Sequence, residues 1–228
     1  MEQSFVAAQN NDSPKFRRLL ICEGPEDRLF FHQLIQVRSL PGFHIWDTGA
    51  RTGRGGNSKF DQAIRAFRAS RPKTYGSLRD IIIVADNDET PDANFENVCR
   101  QIEGIFGAGT APTAPQRRTL KIKPAITILM MPWTGRNGHL ERLCINSAHD
   151  ADKKVGVHVN NFMAVLAADK WNNESRVGKA WLRTNLAARC VVDPFVALGH
   201  VFEEPKYQTL IPLDHASFKP VADFLASF

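Results

Sequence analysis

The sequence predicts an α/β fold, with a mainly parallel sheet of about four strands flanked by helices and a helical C-terminal portion. Two observations lead to this prediction. Apolar runs such as IIIVA (81–85) and AITILMM (125–131) lack polar alternation, which is typical of strands buried on both faces. Segments with apolar residues at helical spacing separate these runs, and a repeated strand–helix order predicts parallel pairing with right-handed crossovers.

The first half of this pattern contains two strand–helix units. FRRLLICEG (16–24) is predicted as the first strand, and PEDRLFFHQLIQVR (25–38) as a helix whose first turn suits a proline and acidic residues. GFHIWDTG (42–49) is predicted as the second strand. A glycine-rich loop (50–58) and an amphipathic helix (59–70) follow it, and residues 71–79 are predicted to form a loop.

The second half of the core repeats the order. RDIIIVAD (79–86) is predicted as the third strand and PDANFENVCRQIEGIF (91–106) as its helix. After a loop rich in Pro, Gly, Thr and Ala (107–118), AITILMMP (125–132) is the fourth strand and GHLERLCINSA (138–148) a short helix.

Beyond about residue 150 the pattern becomes helical. Helices are predicted over 159–171 and 176–190, with shorter ones within 191–202 and 217–228. The predicted organisation is therefore an α/β domain at 17–150 and a helical extension at 151–228 packed on it.

Composition narrows the class of protein. A chain of 228 residues can bury a sizeable core without disulfide or zinc staples. Its four cysteines are scattered without a CxxC pair, which favours a reducing, cytoplasmic compartment, and no run approaches the roughly 18 apolar residues of a membrane span. The net charge of +5 and several clusters of Arg and Lys fit a nucleic-acid partner, although a basic soluble surface gives the same pattern.

The most informative motif is DND, at the end of the third strand. Asp86 and Asp88 directly follow the IIIVA run, and residues two apart on an extended chain point the same way. In open α/β sheets, ligands bind at the carboxyl ends of the strands. Two close carboxylates need a proton or a cation between them, and Mg²⁺ prefers such oxygen ligands. The alternative is turn and capping chemistry, with Asp88 or Thr90 at the start of the next helix.

Further acidic residues follow neighbouring strands. Glu23 ends the first strand, just before Gly24, and Asp27 comes one helical turn later. Glu141 follows the fourth strand in the equivalent position. These residues are expected to meet Asp86 and Asp88 if the strands are neighbours. Each of them alone is also compatible with a solvated or capping carboxylate. His139, beside Glu141, could approach the site, but a surface or capping role is the favoured prediction.

In this order and spacing, the motifs resemble the TOPRIM domain of topoisomerases, primases and related nucleases. ICEGPEDRLFF matches the first TOPRIM motif and IIIVADNDE the second, over roughly residues 17–150. Asp27 and the GHLE segment resemble the TOPRIM domains of the overcoming-lysogenization-defect nucleases and of small stand-alone relatives of uncharacterised function. The resemblance implies a Rossmann-like core that binds Mg²⁺ or Mn²⁺ and cleaves nucleic acid.

The resemblance also implies roles for individual residues. Asp86 and Asp88 would hold the metal, together with Asp27 and Glu141, and Glu23 would bind metal or act in acid–base chemistry. In the nucleases, a lysine from a helix beyond the TOPRIM core completes the site. Lys179 is similar in position, with Lys170 as a competitor. The nucleases carry an ATPase domain or a long extension that this chain does not have, which suggests a partner protein such as an ATPase.

The glycine-rich loop after the second strand contributes two further candidates. Arg51 and Arg54 are positioned to grip phosphates, helped by backbone N–H groups of the neighbouring glycines. The loop matches neither the P-loop nor the GxGxxG motif, and an ordinary surface loop is equally compatible with it.

Two other functions remain open at the level of sequence. The first is that of a non-catalytic TOPRIM-like unit that binds nucleic acid or a partner. DNDET also fits the DxDxT opening of haloacid-dehalogenase-like phosphatases, but that motif usually lies near the N-terminus, and no convincing later acidic pair follows here.

Overall fold

The structure, a computed structural model, describes residues 15–49, 59–133, 137–171 and 173–228. It contains a four-stranded, all-parallel sheet with the strand order β2-β1-β3-β4. The strands are β1 (Arg18–Cys22), β2 (His44–Asp47), β3 (Asp80–Asp86) and β4 (Ala125–Met131). This arrangement confirms the predicted Rossmann-like α/β fold.

Helices cover both faces of the sheet and continue to the end of the chain. They are α1 (Pro25–Val37), α2 (Phe60–Ser70), α3 (Pro72–Ser77), α4 (Pro91–Phe106), α5 (Leu140–Ala151), α6 (Lys153–Val165), α7 (Glu174–Arg189), α8 (Leu198–Glu203) and α9 (Lys219–Ala226). Short 3₁₀ turns lie at Ala168–Trp171, Pro205–Tyr207 and Ala216–Phe218.

Alternate residues of each central strand pack into two separate hydrophobic cores, one on each face of the sheet. In β3, Ile81 and Ile83 face a core shared with α2 and α4, while Ile82 and Val84 face a core shared with α1. Both sets are almost completely buried, which explains why the strand is uniformly apolar instead of alternating.

The C-terminal helices complete the core on the α1 side. Leu182 of α7, Phe202 of α8 and Leu225 of α9 belong to the same cluster as Leu20 and Phe30, and the rings of Phe30 and Phe202 meet edge to face at 5.3 Å. The 151–228 segment therefore packs on the sheet, and one apolar core runs through both parts of the chain.

Two local predictions were inaccurate. Residues 72–77 form α3 instead of a loop, because Pro72 lies at its first turn, where a proline needs no hydrogen-bond donor. α6 begins at Lys153, six residues before the predicted start, because the Asp152 side chain accepts a hydrogen bond from the Val155 N–H at 3.1 Å and caps the helix.

The strand register places the carboxyl ends of β1 and β3 next to each other. Cys22 pairs with Val84 on one side and with Asp47 of β2 on the other. The residues that follow these strands therefore emerge at one edge of the sheet. Within the described residues, no helix is long and apolar enough to cross a membrane.

Candidate functional site

Glu23 emerges from β1 directly against the end of β3. Its Oε2 accepts a hydrogen bond from the backbone N–H of Asp86 at 3.3 Å. The backbone of Glu23 is held by Thr48, which follows β2 and whose Oγ1 donates to the Glu23 carbonyl at 2.6 Å. The sheet thus fixes the position of Glu23 from both neighbouring strands, and the first and third strands contribute to a common site.

Asp88 reaches the site through a turn, not through the extended strand that the sequence suggested. Its φ of +48° is left-handed, a conformation that Asp tolerates better than most residues. Its backbone forms two hydrogen bonds with Gly138, at 3.1 and 2.8 Å. Asn94 of α4 donates to Asp88 Oδ2 at 3.0 Å and to the carbonyls of Asp86 and Asn87. The turn at Asp86–Asp88, called the DND turn below, is therefore held by α4 and by the segment that follows β4.

His139 lies between the two aspartates. Its Nδ1 is 2.8 Å from Asp86 Oδ2 and 3.1 Å from Asp88 Oδ1, close enough to bridge both carboxylates. It occupies the N-cap position of α5, but its side chain caps nothing. The prediction of a surface or capping role was wrong. Gly138, directly before His139, pairs with Asp88, and this pairing brings the His139 side chain to the two aspartates.

Asp27 and Glu141 also lie at this edge. Asp27 Oδ2 accepts a hydrogen bond from the Gly24 N–H at 2.9 Å, which turns its carboxylate back toward the end of β1. Glu141, in the first turn of α5, is buried with 8% of its surface exposed. The negative charge of Glu141 acts on both Asp27 and Asp86. All five acidic residues singled out in the sequence are therefore brought together, whereas their roles as metal ligands stay predictions.

Burial and mutual repulsion favour the protonated forms of these acids. Burial, followed by the nearby Asp86 charge, raises the pKa of Glu23 from 4.5 to about 7. Burial and the Asp86 charge also raise the pKa of Asp27 well above its usual value. The pKa of Asp86 is raised by burial, although its hydrogen bond with His139 opposes this effect. The site thus concentrates more negative charge than its own protein groups neutralise.

The pKa of His139 is shifted in the opposite sense to that of a simply buried histidine. Burial lowers its pKa, but the hydrogen bond with Asp86 and the Asp86 and Asp88 charges outweigh that effect, so the pKa is raised. An imidazolium held between two carboxylates acts as an internal cation that partly offsets their charge.

The chemistry of the donor set suits a hard divalent cation, although the side chains are not arranged around one. Within the described ranges, no group of three or more His, Cys, Asp or Glu residues has the geometry to hold a metal ion. The carboxylate oxygens instead contact His139, the Gly24 N–H and the Asp86 N–H. A set of crowded carboxylates with raised pKa values is nevertheless the environment that Mg²⁺ or Mn²⁺ would stabilise. Binding would require Asp86 and Asp88 to release His139.

Lys179 lies on the side of the site formed by α7. Its positive charge lowers the pKa of His139, so the two side chains are close enough to interact. The start of α7 is tied to the DND turn, because Glu89 Oε1 accepts a hydrogen bond from the Ser175 N–H at 3.1 Å. The structure therefore brings Lys179 to the edge that carries the acids, while the competing Lys170 lies in the preceding 3₁₀ turn.

Two predicted residues cannot be placed at the site, and two others lie in it that the sequence did not favour. The predicted phosphate-binding residues Arg51 and Arg54 lie outside the described residues. His139 and Asn94 also contribute to the site. For His139 this was the less favoured of two predictions, and Asn94 was not predicted. For His139 the only available signal was its position beside Glu141. For Asn94 the sequence offers only a position six residues after Asp88, near the predicted start of the next helix.

Comparison with known proteins identifies a family but no characterised relative. No curated protein and no solved structure gives a significant match. One family profile, described as a protein of unknown function, matches residues 17–226, which includes both the sheet and the C-terminal helices. With most of its length matched in this way, the chain belongs to the DUF3226 family.

Proposed function

We propose that the protein is a metal-dependent phosphodiesterase that cleaves nucleic acid, or the cleaving subunit of such a system. The observation that carries this proposal is the contact between Glu23 Oε2 and the Asp86 N–H at 3.3 Å, which joins the acidic ends of two neighbouring strands into one site. The TOPRIM-like order of the two motifs supports the same function, as does the basic character of the chain.

Asp86 and Asp88, with Asp27 and Glu141, would hold Mg²⁺ or Mn²⁺. When bound, a divalent cation supplies Lewis-acid polarisation of the scissile phosphate and offsets the charge that develops on it. Asn94 and the Gly138 backbone keep the backbone of the DND turn in place, so that metal binding would require the side chains of Asp86 and Asp88 to release His139 but not the turn to refold.

Glu23 is the group suited to move a proton. Its pKa of about 7 lets it accept a proton near neutral pH. In the proposed step, a water oxygen bonds to phosphorus and the bond from phosphorus to the leaving sugar oxygen breaks. Glu23 takes one proton of the attacking water, and the leaving oxygen takes a proton from a solvent water. Lys179 stabilises the negative charge on the phosphoryl oxygens. His139 keeps Asp86 and Asp88 together until the site is loaded.

A second function is favoured by one specific observation. His139 lies between Asp86 and Asp88 and occupies the carboxylate oxygens that a metal would need. A site closed in this way would bind nucleic acid or a partner protein, such as an ATPase, without cleaving. The four free cysteines agree with a reducing, cytoplasmic setting for either function.

The test compares cleavage by wild-type protein and by Asp86→Asn. Supercoiled plasmid and linear single-stranded DNA and RNA are incubated with Mg²⁺, Mn²⁺ or EDTA. We expect metal-dependent cleavage that falls on the order of 100-fold or more in Asp86→Asn, because loss of a metal-site residue costs at least this much. Asp92→Asn, an exposed residue in the first turn of α4, is the matched control and should cleave normally.

The other outcomes separate the alternatives. Binding of nucleic acid without cleavage under all metal conditions would contradict the phosphodiesterase and favour the binding role. Release of phosphate from small phosphomonoesters, with no cleavage of polynucleotides, would favour the phosphatase interpretation of the DNDET motif.

A further inference from the structure

The exposed face of α7 carries a row of basic residues beside the acidic site. Arg176, Lys179 and Arg183 are separated by three and four positions, so they lie on one face of the helix, and all three are exposed. With a rise of about 1.5 Å per residue, the row is about 10 Å long. A single phosphate group would occupy only part of such a row, whereas a chain of phosphates matches its length.

The position of this row is fixed at both ends relative to the acids. At one end, the Ser175 N–H donates to Glu89 Oε1 at 3.1 Å, next to the DND turn. At the other end, Arg183 Nη2 is 3.8 Å from Oε1 of Glu26, in the first turn of α1 and three residues after Glu23. The row therefore runs along the rim of the site from β3 toward β1.

Most of the positive charge on this row is not neutralised by the protein itself. Within the parts of the chain that the structure describes, neither Arg176 nor Lys179 forms an ion pair, and the Arg183–Glu26 pair is long and half exposed. Exposed pairs of this kind contribute little stability, so they are readily exchanged for another anion. Phosphates are the anions that arginine binds with the best geometry.

An apolar turn adjoins the Arg183 end of the row. Cys190 and Val196 anchor the turn in the core, while the side chains between them protrude, Phe195 with 92% of its surface exposed. Arg183 Nη1 donates to the Val196 carbonyl at 3.5 Å, which joins the turn to the basic row.

This turn is an ordered feature. Asp193 Oδ1 accepts a hydrogen bond from the Phe195 N–H at 3.0 Å, and the Asp193 carbonyl accepts one from the Val196 N–H at 3.1 Å. These bonds order the backbone of the turn that carries the exposed Phe195 ring, and Arg183 is bonded to the next residue of that turn. Val191 and Val192, 93% and 80% exposed, extend the apolar surface.

We propose that α7 and the 190–196 turn form a binding track for single-stranded nucleic acid, in which Arg176 and Arg183 hold backbone phosphates and Phe195 stacks on a base. The ring argues for a single strand, because the faces of paired bases are covered in a duplex. This inference deepens the proposed function, on which it rests for the class of ligand. It adds the path of the bound strand across the protein, which runs from the DND turn toward α1.

The test measures binding in EDTA, so that it does not depend on cleavage. Fluorescence anisotropy compares a labelled single-stranded oligonucleotide with its duplex over a range of salt concentrations. For the single strand, Arg176→Ala/Arg183→Ala is expected to weaken binding at least about 10-fold at low salt. Removing two phosphate contacts, at about 0.7 each, should also lower the slope of log K against log salt by about 1.4.

The aromatic contact has its own variant. Phe195→Ala is expected to weaken single-strand binding by about 5- to 150-fold, the usual range for one stacked base, and to leave duplex binding unchanged. Phe162→Ala, which removes a half-exposed ring on α6, is its matched control and should bind normally. Arg65→Ala/Arg100→Ala removes two exposed arginines from α2 and α4 on the opposite face of the sheet, and serves as the control for charge.

The possible results are decisive for the track and separate it from the proposed function. Wild-type affinity in Arg176→Ala/Arg183→Ala, or equal losses in that variant and in Arg65→Ala/Arg100→Ala, would overturn the track. Equal losses of single-strand and duplex binding in Phe195→Ala would overturn its stacking role. If the track variants lose binding but wild-type protein never cleaves, the track stands and the phosphodiesterase fails. If cleavage depends on Asp86 but the track variants keep the wild-type KM, only the track fails.

Discussion

Each end of β3 carries an aspartate, buried at the amino end and partly buried at the carboxyl end, and the surroundings of the two residues are opposite. Asp80, at the amino end, is 1% exposed and pairs with Arg79 at 3.0 Å and with Arg118. Asp86, at the carboxyl end, is surrounded by other acids, and His139 is its ion-pair partner. Asp80 is thus neutralised by arginines and stabilises the fold. Asp86, at the other end of the same strand, lies among other carboxylates, and this environment lowers the stability of the fold.

This difference shows how to separate structure from function in a family of unknown function. Gathering five acidic residues at one edge of the sheet does not stabilise the fold. Burial and mutual repulsion raise the pKa values of Glu23, Asp27 and Asp86, which means that their charged forms are unfavourable in the folded protein. Functional sites are where such unfavourable arrangements are retained. At the amino end of β3, where we propose no functional site, the same chain neutralises a buried carboxylate with arginines.

The largest expected effect is a loss of stability with rising pH. The folded-state pKa of Glu23 is raised from 4.5 to about 7. Its contribution to stability is therefore complete below about pH 4.5 and is lost as the pH rises through 7, where the folded protein must carry a buried charge. The difference between the two pKa values corresponds to about 3 kcal/mol.

Chemical denaturation from pH 4.5 to 8.5 in metal-free buffer measures this loss. Glu23→Gln should remove it, so that the variant exceeds wild type in stability above pH 7. The exposed Glu96→Gln of α4 is the matched control and should follow wild type. Parallel curves for Glu23→Gln and wild type would show that Glu23 carries no such penalty.

The next effect is stabilisation by a divalent cation. A ligand that binds only the folded state at 100 times its Kd stabilises it by about 2.7 kcal/mol. For a chain of this size, that corresponds to a rise in Tm of about 5–10 °C. Thermal unfolding with Mg²⁺ or Mn²⁺ at pH 8 should show the rise in wild type and in Asp92→Asn, but not in Asp86→Asn. A similar rise in all three proteins would mean that the cation binds elsewhere.

A smaller effect contrasts the two ends of β3 directly. Asp80→Asn should destabilise the fold by about 2 kcal/mol, because two charge-assisted hydrogen bonds are lost while Arg79 and Arg118 remain partly solvated. Asp86→Asn should be neutral or stabilising, since the repulsion that it relieves offsets the lost bond to His139. Urea unfolding at pH 7.5 measures both. Equal destabilisation by the two substitutions would remove the distinction between the two ends.

The sequence predicted those features that depend on local patterns. The buried run at 81–85 identified β3, and the strand–helix order predicted parallel pairing. That β1 is a neighbour of β3, which places Glu23 beside Asp86, was a condition of the predicted site and is supplied by the structure. His139 was missed because the Asp88–Gly138 pairing, 50 residues apart in the chain, brings it into the site. No local pattern encodes such a contact. The α3 helix was missed because its six residues contain a glycine and little helical periodicity.

The most direct test of the account is a crystal structure with Mn²⁺, in which anomalous scattering locates the ion. We predict one strong peak bounded by the carboxylates of Glu23, Asp86 and Asp88, with the His139 ring displaced from between the two aspartates. A structure at saturating Mn²⁺ that shows no peak at this edge, with His139 still bridging Asp86 and Asp88, would contradict it.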